Sequence, residues 1–187
     1  MKRNILILFT LINVCFSINA QKKDLKLVML EQANTMGNLF IAKDYAAFAK
    51  YSHPTMIEMM GGEEKMLEYI KANFEQLEKE GVTFQKITFG EPSKILTVKY
   101  EDKEELQATM PQMIEMKIPG GIFTANATLI CLSRDKGRNW YFIDTSGNDL
   151  TSMRKLIPSL SKELVIPDAQ EPSFVEDGIA PAPAEKP

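Results

Sequence analysis

Hydrophobic positions recur along this chain with two different periods, and the change falls near Val82. Before it, large apolar residues recur every three or four positions from Leu25 to Phe40 and from Met66 to Leu77, which predicts amphipathic helices. After it, apolar and polar residues alternate, which predicts strands. Helices followed by a run of strands predict an α+β domain. We expect N-terminal helices packed on one face of a curved, mostly antiparallel sheet of about five or six strands.

The helical half carries its own start and stop signals. Asp44 is placed to cap a short helix with Tyr45 and Phe48 on its inner face. His53-Pro54 predicts the end of that helix, because the residue before proline avoids helical angles. We expect a brief strand over 55–60, then a break at Gly61-Gly62 and a long helix over 63–80. Gly81 follows at the position that favours a left-handed glycine.

The strand half shows two irregularities. The apolar phase shifts between Phe84 and Ile87, which predicts a bulge. Pro111 interrupts a strand over 106–118, which predicts an edge position or a bulge there. Pro119-Gly120-Gly121 predicts a hairpin turn into 122–132, the most apolar strand and therefore a central one. A last strand over 140–145 precedes Asp149, which can cap a short closing helix with Met153, Leu156 and Ile157 facing inward.

The first 20 residues have the pattern of a cleavable signal peptide. Lys2 and Arg3 precede a short apolar run, and Ser17 to Ala20 form a small, polar exit. The run is shorter than the roughly 20 apolar residues that a spanning helix needs. The pattern predicts export to the periplasm or the medium, with a mature chain that begins at Gln21 and has no membrane contact after cleavage.

Composition divides the remainder into a domain and a tail. Residues 21–166 are predicted to form a single α+β domain. From Pro167 the chain is rich in Pro, Ala and acidic residues. We expect the segment 167–187 to be disordered, because few large apolar side chains are present to offset the entropy of ordering.

Charge and reactive residues narrow the classes of function. The formal net charge is −3 and becomes −5 without Lys2 and Arg3, and no basic block is present, which argues against nucleic acid. Cys131 is the one cysteine of the mature chain, so no disulfide within it is predicted. Its apolar surroundings predict a buried thiol and not a nucleophile. His53 is the only histidine, which argues against a multi-histidine metal site. No cofactor is predicted.

The order of elements resembles the nuclear transport factor 2-like superfamily, which includes SnoaL-like proteins and ketosteroid isomerases. The resemblance covers about residues 24–160. It rests on Tyr51-Ser-His-Pro54, on Gly61-Gly62 opening the next helix, and on the long hairpins that follow. It implies an α+β cone with a pocket between the helices and the concave sheet. Such pockets serve enzymes, binding modules and interaction domains alike, so the resemblance leaves function open.

A second resemblance is local. The string from Ser133 through Asp135 and Gly137 to Trp140 is similar to the Asp-box of sialidase-type propellers, with Asn139 where that motif has Thr. Propellers repeat this turn, whereas it occurs once here. It therefore predicts a structural hairpin in which Asp135 accepts backbone N–H groups.

Methionine is abundant, with 11 residues, and Met110, Met113 and Met116 form a Met-x-x-Met-x-x-Met string. Thioethers can bind Cu(I) in an oxidising compartment, which makes periplasmic copper binding a minor alternative. In a strand, however, Met113 points away from the other two. The interpretation we favour is adaptable apolar filling of a core or pocket, with no metal site.

Two residues are weak catalytic candidates. Asp144 shares a strand face with Trp140 and Phe142, where an apolar setting would raise its pKa and suit proton transfer. His53 could act as a base if a partner lay beside it. Structural roles, a turn at Asp144 and a helix end at His53, are the simpler interpretation of both.

The favoured hypothesis is an exported, non-catalytic domain that binds a small apolar ligand or a protein partner through its pocket or sheet. A homodimer formed through the sheet is a further partner arrangement. The alternative is a small pocket enzyme of the isomerase or dehydratase kind. The predicted pocket wall consists of apolar residues from the first helix, the second helix and three strands: Met36, Phe40, Phe48, Met113, Ile114, Phe123 and Phe142.

Overall fold

The computed structural model describes residues 24–146, 149–167 and 170–178. The predicted signal peptide and the last nine residues of the tail lie outside these ranges. The helices are α1 Leu25–Ile41, α2 Tyr45–Ala49, α3 Pro54–Met59, α4 Glu63–Lys79 and α5 Leu150–Leu156. The strands are β1 Thr83–Phe89, β2 Leu96–Tyr100, β3 Lys103–Ile118, β4 Gly121–Ser133, β5 Tyr141–Asp144 and β6 Ser173–Glu176. Within the described ranges, none of these helices has the length and apolarity to cross a membrane.

Three of the helices have an aspartate as their N-cap residue. The carboxylate of Asp24 accepts the backbone N–H groups of Lys26 and Leu27 at the start of α1. Asp44 caps α2 and Asp149 caps α5 in the same way, which confirms the two predicted caps.

The brief strand expected over 55–60 is wrong, because this segment is helix α3. Pro54 occupies the first turn, where its missing N–H would have had no partner in the helix. The imidazole of His53 caps the helix by accepting the N–H of Thr55 at 3.3 Å. The His53-Pro54 pair thus ends one helix and begins the next.

Over the described residues the sheet has six strands in the order β1-β3-β4-β5, with β2 also paired to β3 and β6 to β4, and these strands pair antiparallel. The α+β prediction is confirmed. The longest pairing in the sheet is the β3–β4 hairpin, which is in continuous register from Leu106 opposite Ser133 to Ile118 opposite Gly121. The predicted bulge lies in β1, where the register shifts between Phe84 and Lys86. It keeps Phe84 and Ile87 on one face despite their odd spacing.

Pro111 lies in a strand that is paired on both sides, yet at its own position one neighbour is a loop. β1 ends at Phe89 and β2 begins at Leu96, and the link between them passes Pro111. The carbonyl of Pro111 accepts the N–H of Gly90 at 2.9 Å. Ser93 replaces a strand residue, since its N–H donates to the Thr109 carbonyl at 2.8 Å and its Oγ accepts the Thr109 N–H at 2.9 Å. The proline is therefore at a local edge, as proline in a sheet requires.

Both faces of the sheet are covered, whereas helices on one face were expected. The first-face cluster packs under α1 and contains Val28, Met29, Ala33, Met36, Leu106, Ala108, Met110, Leu129, Cys131, Trp140 and Phe142. The second-face cluster packs under α5 and the segment after it, and contains Ile130, Leu132, Ile143, Met153, Ile157, Leu160 and Leu164. The C-terminal third of the chain supplies this second layer.

The predicted tail also differs from expectation over its described part. Residues 173–176 form β6, which pairs with Gly121–Thr124 at the start of β4. Composition is a poor guide here, because the strand has only four residues and three of them are exposed. Pairing with β4, and not burial of an apolar face of β6, positions this strand.

Candidate functional site

Strand alternation decides which predicted wall residues can act together. Ile114, Phe123 and Phe142 lie on the face of the sheet that α1 covers, which we call the α1 face. Met113 is the neighbour of Ile114 on β3 and lies on the opposite face. The predicted wall therefore cannot include Met113, because adjacent strand residues point to opposite sides of a sheet.

Two of the remaining six are core residues. Met36 and Phe142 are 7% and 6% exposed and belong to the first-face cluster. Ile114 and Phe123 are half-buried. Met36 and Phe142 therefore belong to the core under α1. Ile114 and Phe123 form part of the sheet surface beyond that core.

Phe40 and Phe48 belong to an aromatic cluster at the C-terminal end of α1. The Phe40 ring is 5.3 Å from Phe48, 4.6 Å from Phe74 and 5.1 Å from Phe84, measured between centroids. Tyr45 stacks on Phe74 at 5.4 Å with an interplanar angle of 15°. Burial raises the pKa of Tyr45. The cluster ties three helices to β1 and forms a rigid wall at that end of the sheet.

One row of side chains crosses four strands on the α1 face. Phe84 on β1 is paired with Met116 on β3, Met116 with Phe123 on β4, and Phe123 with Phe174 on β6. We call these four residues the cross-strand row. Phe84 is packed in the aromatic cluster, Met116 and Phe123 are half-buried, and Phe174 is 48% exposed. The row thus passes from the wall to open solvent.

Near the turn of the β3–β4 hairpin, apolar and charged side chains of β3 lie on opposite faces of the sheet. Ile114, Met116 and Ile118 lie on the α1 face, while Glu115 and Lys117 lie on the opposite face. Gln112 is a polar residue on the α1 face, where it is 8% exposed and its Oε1 has no hydrogen-bond partner among the described residues. The face is therefore apolar with one amide at its inner end.

Asp144 is not a carboxylate buried among aromatics. It lies at the end of β5, exposed, opposite Leu129. Its Oδ1 accepts the N–H of Ser146 at 2.7 Å and the hydroxyl of Ser146 at 2.5 Å. This geometry is an aspartate turn at a strand end, which explains the residue without a catalytic role.

His53 is fully buried beneath β5, with its ring edge-on to Tyr141 at 5.8 Å between centroids. Burial and the positive charge of Arg134 lower the pKa of His53 to about 4, and the carboxylate of Glu105 opposes this only in part. The imidazole is neutral at physiological pH. Its Nε2 has no hydrogen-bond partner among the described residues.

A buried polar network that sequence reasoning missed lies on the second face. Glu105 accepts Gln107 Nε2 at 2.7 Å, the Ser159 hydroxyl at 3.1 Å and Arg134 Nε at 2.8 Å. Gln107 also donates to the Ser159 carbonyl at 2.9 Å and accepts the Ser161 N–H at 2.8 Å. These bonds fasten the segment after α5 to the sheet. The signal that the sequence offered was the spacing of Glu105 and Gln107, two polar residues at alternate positions of β3, on the face opposite Leu106.

An open groove of about 540 Å³ lies between α2 and α4. It is lined by Lys43, Asp44, Tyr45, Ala46, Leu67, Lys71, Glu75 and Glu78, and includes none of the predicted wall residues. Its lysines are paired with its glutamates, Lys43 with Glu78 and Lys71 with Glu75. The Glu78 hydrogen bond raises the pKa of Lys43. Ion pairs between the groove's own lysines and glutamates are typical of a solvated helix surface and not of a ligand-binding site.

The turn from Ser133 to Trp140 matches the structural hairpin that its sequence predicts. The carboxylate of Asp135 accepts the N–H groups of Arg138 and Asn139, the Asn139 amide and the Ser133 hydroxyl. Burial alone would raise the pKa of Asp135, but these hydrogen bonds outweigh it and lower the pKa. The carboxylate is fully occupied by its own turn.

Methionine geometry does not form a copper site on β3. Met110 and Met116 share a face but are six residues apart, about 20 Å along a strand. Met110 is fully buried in the first-face cluster. Within the part of the chain that the structure describes, no three His, Cys, Asp or Glu side chains are grouped to hold a metal ion. Cys131 is buried, and burial raises its thiol pKa.

The fold and site define an α+β protein with an apolar sheet face that extends beyond its covering helix. Comparisons with protein-family models, with curated proteins and with solved structures find no match for this chain. The resemblance to the nuclear transport factor 2-like superfamily stays a prediction from the order of its elements.

Proposed function

We propose that this protein is an exported, non-catalytic binding module that takes a small apolar ligand on the α1 face of its β3–β4 hairpin. The observation that carries the proposal is the cross-strand row. It presents two half-buried apolar side chains, Met116 and Phe123, between the aromatic wall at Phe84 and the exposed ring of Phe174. Export follows from the signal-peptide pattern of residues 1–20.

The chemistry of the face supports an apolar ligand over a charged one. The two charged residues of β3 next to the cross-strand row, Glu115 and Lys117, lie on the opposite face. Gln112 supplies the kind of single polar group that orients a ligand in an otherwise apolar site. Methionine at the centre of the row adapts its shape to different contents.

A fluorescent test uses the neutral apolar dye N-phenyl-1-naphthylamine, whose emission rises in an apolar site. Met116→Glu should abolish dye binding, because a carboxylate in the row would have to be desolvated by the ligand. Met113→Glu is the matched control. It is the same substitution at another half-buried methionine of β3, three residues away and on the opposite face.

Circular dichroism melting establishes that both variants are folded before they are compared. Loss of dye binding in Met116→Glu alone supports the proposal. Equal binding by both folded variants, or equal loss, would overturn it.

A further inference from the structure

β6 is an appended strand that occupies the free edge of β4. It pairs over four residues, from Glu176 opposite Gly121 to Ser173 opposite Thr124. β5 pairs with the other end of the same edge, over Leu129–Leu132. We call the β4 edge over Gly121–Thr124 together with Lys117 the strand seat.

The seat is shaped for this strand. A Cβ at Gly121 would lie 2.2 Å from the Val175 carbonyl oxygen and 2.6 Å from the Phe174 ring, so only glycine lets the strand approach. Gly121 does not have a positive φ, so its requirement here is the close approach and not the turn. The Phe174 ring occupies the space that a side chain at position 121 would need.

Polar contacts fix the end of the strand. The side chain of Lys117 on β3 pairs with the carboxylate of Asp177. The N–H of Asp177 donates to the Gly120 carbonyl at 2.9 Å. The seat therefore recognises backbone, one aromatic ring and one carboxylate within five residues, which is the chemistry of strand addition to a sheet edge.

Little else holds the strand to its own domain. Leu164 is the last residue of the second-face cluster, and between it and Val175 the described residues are exposed apart from the half-buried Ile166. Few buried contacts, and exposed residues over the described parts of the connection, are typical of a segment that opens at low free energy.

We infer that the strand seat also accepts the 173–177 segment of a second copy of this chain, so that two molecules exchange β6. The complementarity already exists within one chain, and an exchanged strand makes the same contacts in the other molecule. Exchange of an identical element is a low-cost route to a dimer. This inference does not rest on the proposed apolar ligand.

Disulfide trapping distinguishes exchange from an unexchanged strand. Thr124 and Ser173 are directly paired, so two single-cysteine chains are made, Thr124→Cys and Ser173→Cys, each also carrying Cys15→Ser. Cys131 is buried and stays unchanged. The two chains are mixed over a range of concentrations, oxidised, and weighed by mass spectrometry, which separates the mixed dimer from either chain paired with itself.

Exchange predicts a shift from the one-chain mass to that of the mixed dimer, growing with protein concentration. The matched control replaces Thr124→Cys by Thr128→Cys, which lies on the same face of β4 outside the seat, and should not form the mixed dimer. Adding Gly121→Val to the Thr124→Cys chain should also suppress it. A mixed dimer equally abundant with Thr128→Cys, or its absence at every concentration, would overturn the inference.

Discussion

The side chain of Gln32, in the middle of α1, holds the backbone of Trp140 immediately before β5. Its Oε1 accepts the Trp140 N–H at 2.9 Å, and its Nε2 donates to the Arg138 carbonyl at 2.8 Å. The Trp140 side chain is 1% exposed in the first-face cluster. One amide thus joins the N-terminal helix to a turn more than 100 residues away and fixes where the tryptophan enters the core.

Gln32→Ala should destabilise the fold by about 1–3 kcal/mol, because it leaves a part-buried N–H and a carbonyl without their partner. Urea denaturation measures the free energy of unfolding. Gln32→Glu is the control, since it keeps the acceptor for Trp140 and loses only the donor, and should lose less. Equal losses in the two variants would mean that the acceptor half of this contact contributes nothing.

His53 makes stability depend on pH in a defined direction. Its folded pKa of about 4 lies below the ordinary 6.5, so the unfolded state binds the proton more readily. The stabilisation is complete above about pH 6.5 and is lost as pH falls towards 4, by about 3 kcal/mol in all. His53→Asn keeps an N-cap acceptor and removes the titration. The difference in unfolding free energy between wild type and this variant should shrink across that window, and a constant difference would contradict the assignment.

The same substitution should destabilise the fold much more at one buried glutamine of β3 than at the other. Gln107→Leu should cost about 2–4 kcal/mol, because it strips partners from Glu105, Ser159 and Ser161. Gln112→Leu should cost under about 1 kcal/mol or stabilise, since Gln112 Oε1 already has no partner among the described residues. Thermal unfolding of both variants gives the comparison, and the reverse order would show that the network is not what holds the segment after α5.

Asp144→Asn should leave dye binding unchanged within about twofold, because the carboxylate is exposed and bonded to Ser146 outside the cross-strand row. Fluorescence titration of the folded variant provides the measurement. If the variant instead abolished a measurable isomerase or dehydratase activity of the wild-type protein, the non-catalytic proposal would fail and the enzyme hypothesis would replace it.

Export should leave Gln21 at the N-terminus of the mature protein. Mass spectrometry of material recovered from outside the cytoplasm should give a chain without residues 1–20, with Gln21 open or cyclised. An intact Met1, or a lipid on Cys15, would contradict the cleavage that the sequence predicts.

Local signals predicted the local structure well. The three-and-four spacing of α1, the caps Asp44 and Asp149, and the phase shift at the β1 bulge are all readable from a few neighbouring residues. The segment after His53 misled, because proline both ends and begins helices and its neighbours do not say which.

The site depended on contacts that no local pattern contains. Gln107 and Ser159 are 52 residues apart in the chain. The paired residues of β6 and β4 are separated by a similar length of chain. The error at Met113 was avoidable, however. Met113 and Ile114 are neighbours on one strand, and alternation alone excludes both from one wall.

The second face of the sheet is closed by residues 150–164, which a ribosome makes late. Until they are made, Ile130, Leu132 and Ile143 have no covering layer, and the polar network at Glu105 lacks Ser159. The order of synthesis therefore leaves completion of this core to residues 150–164.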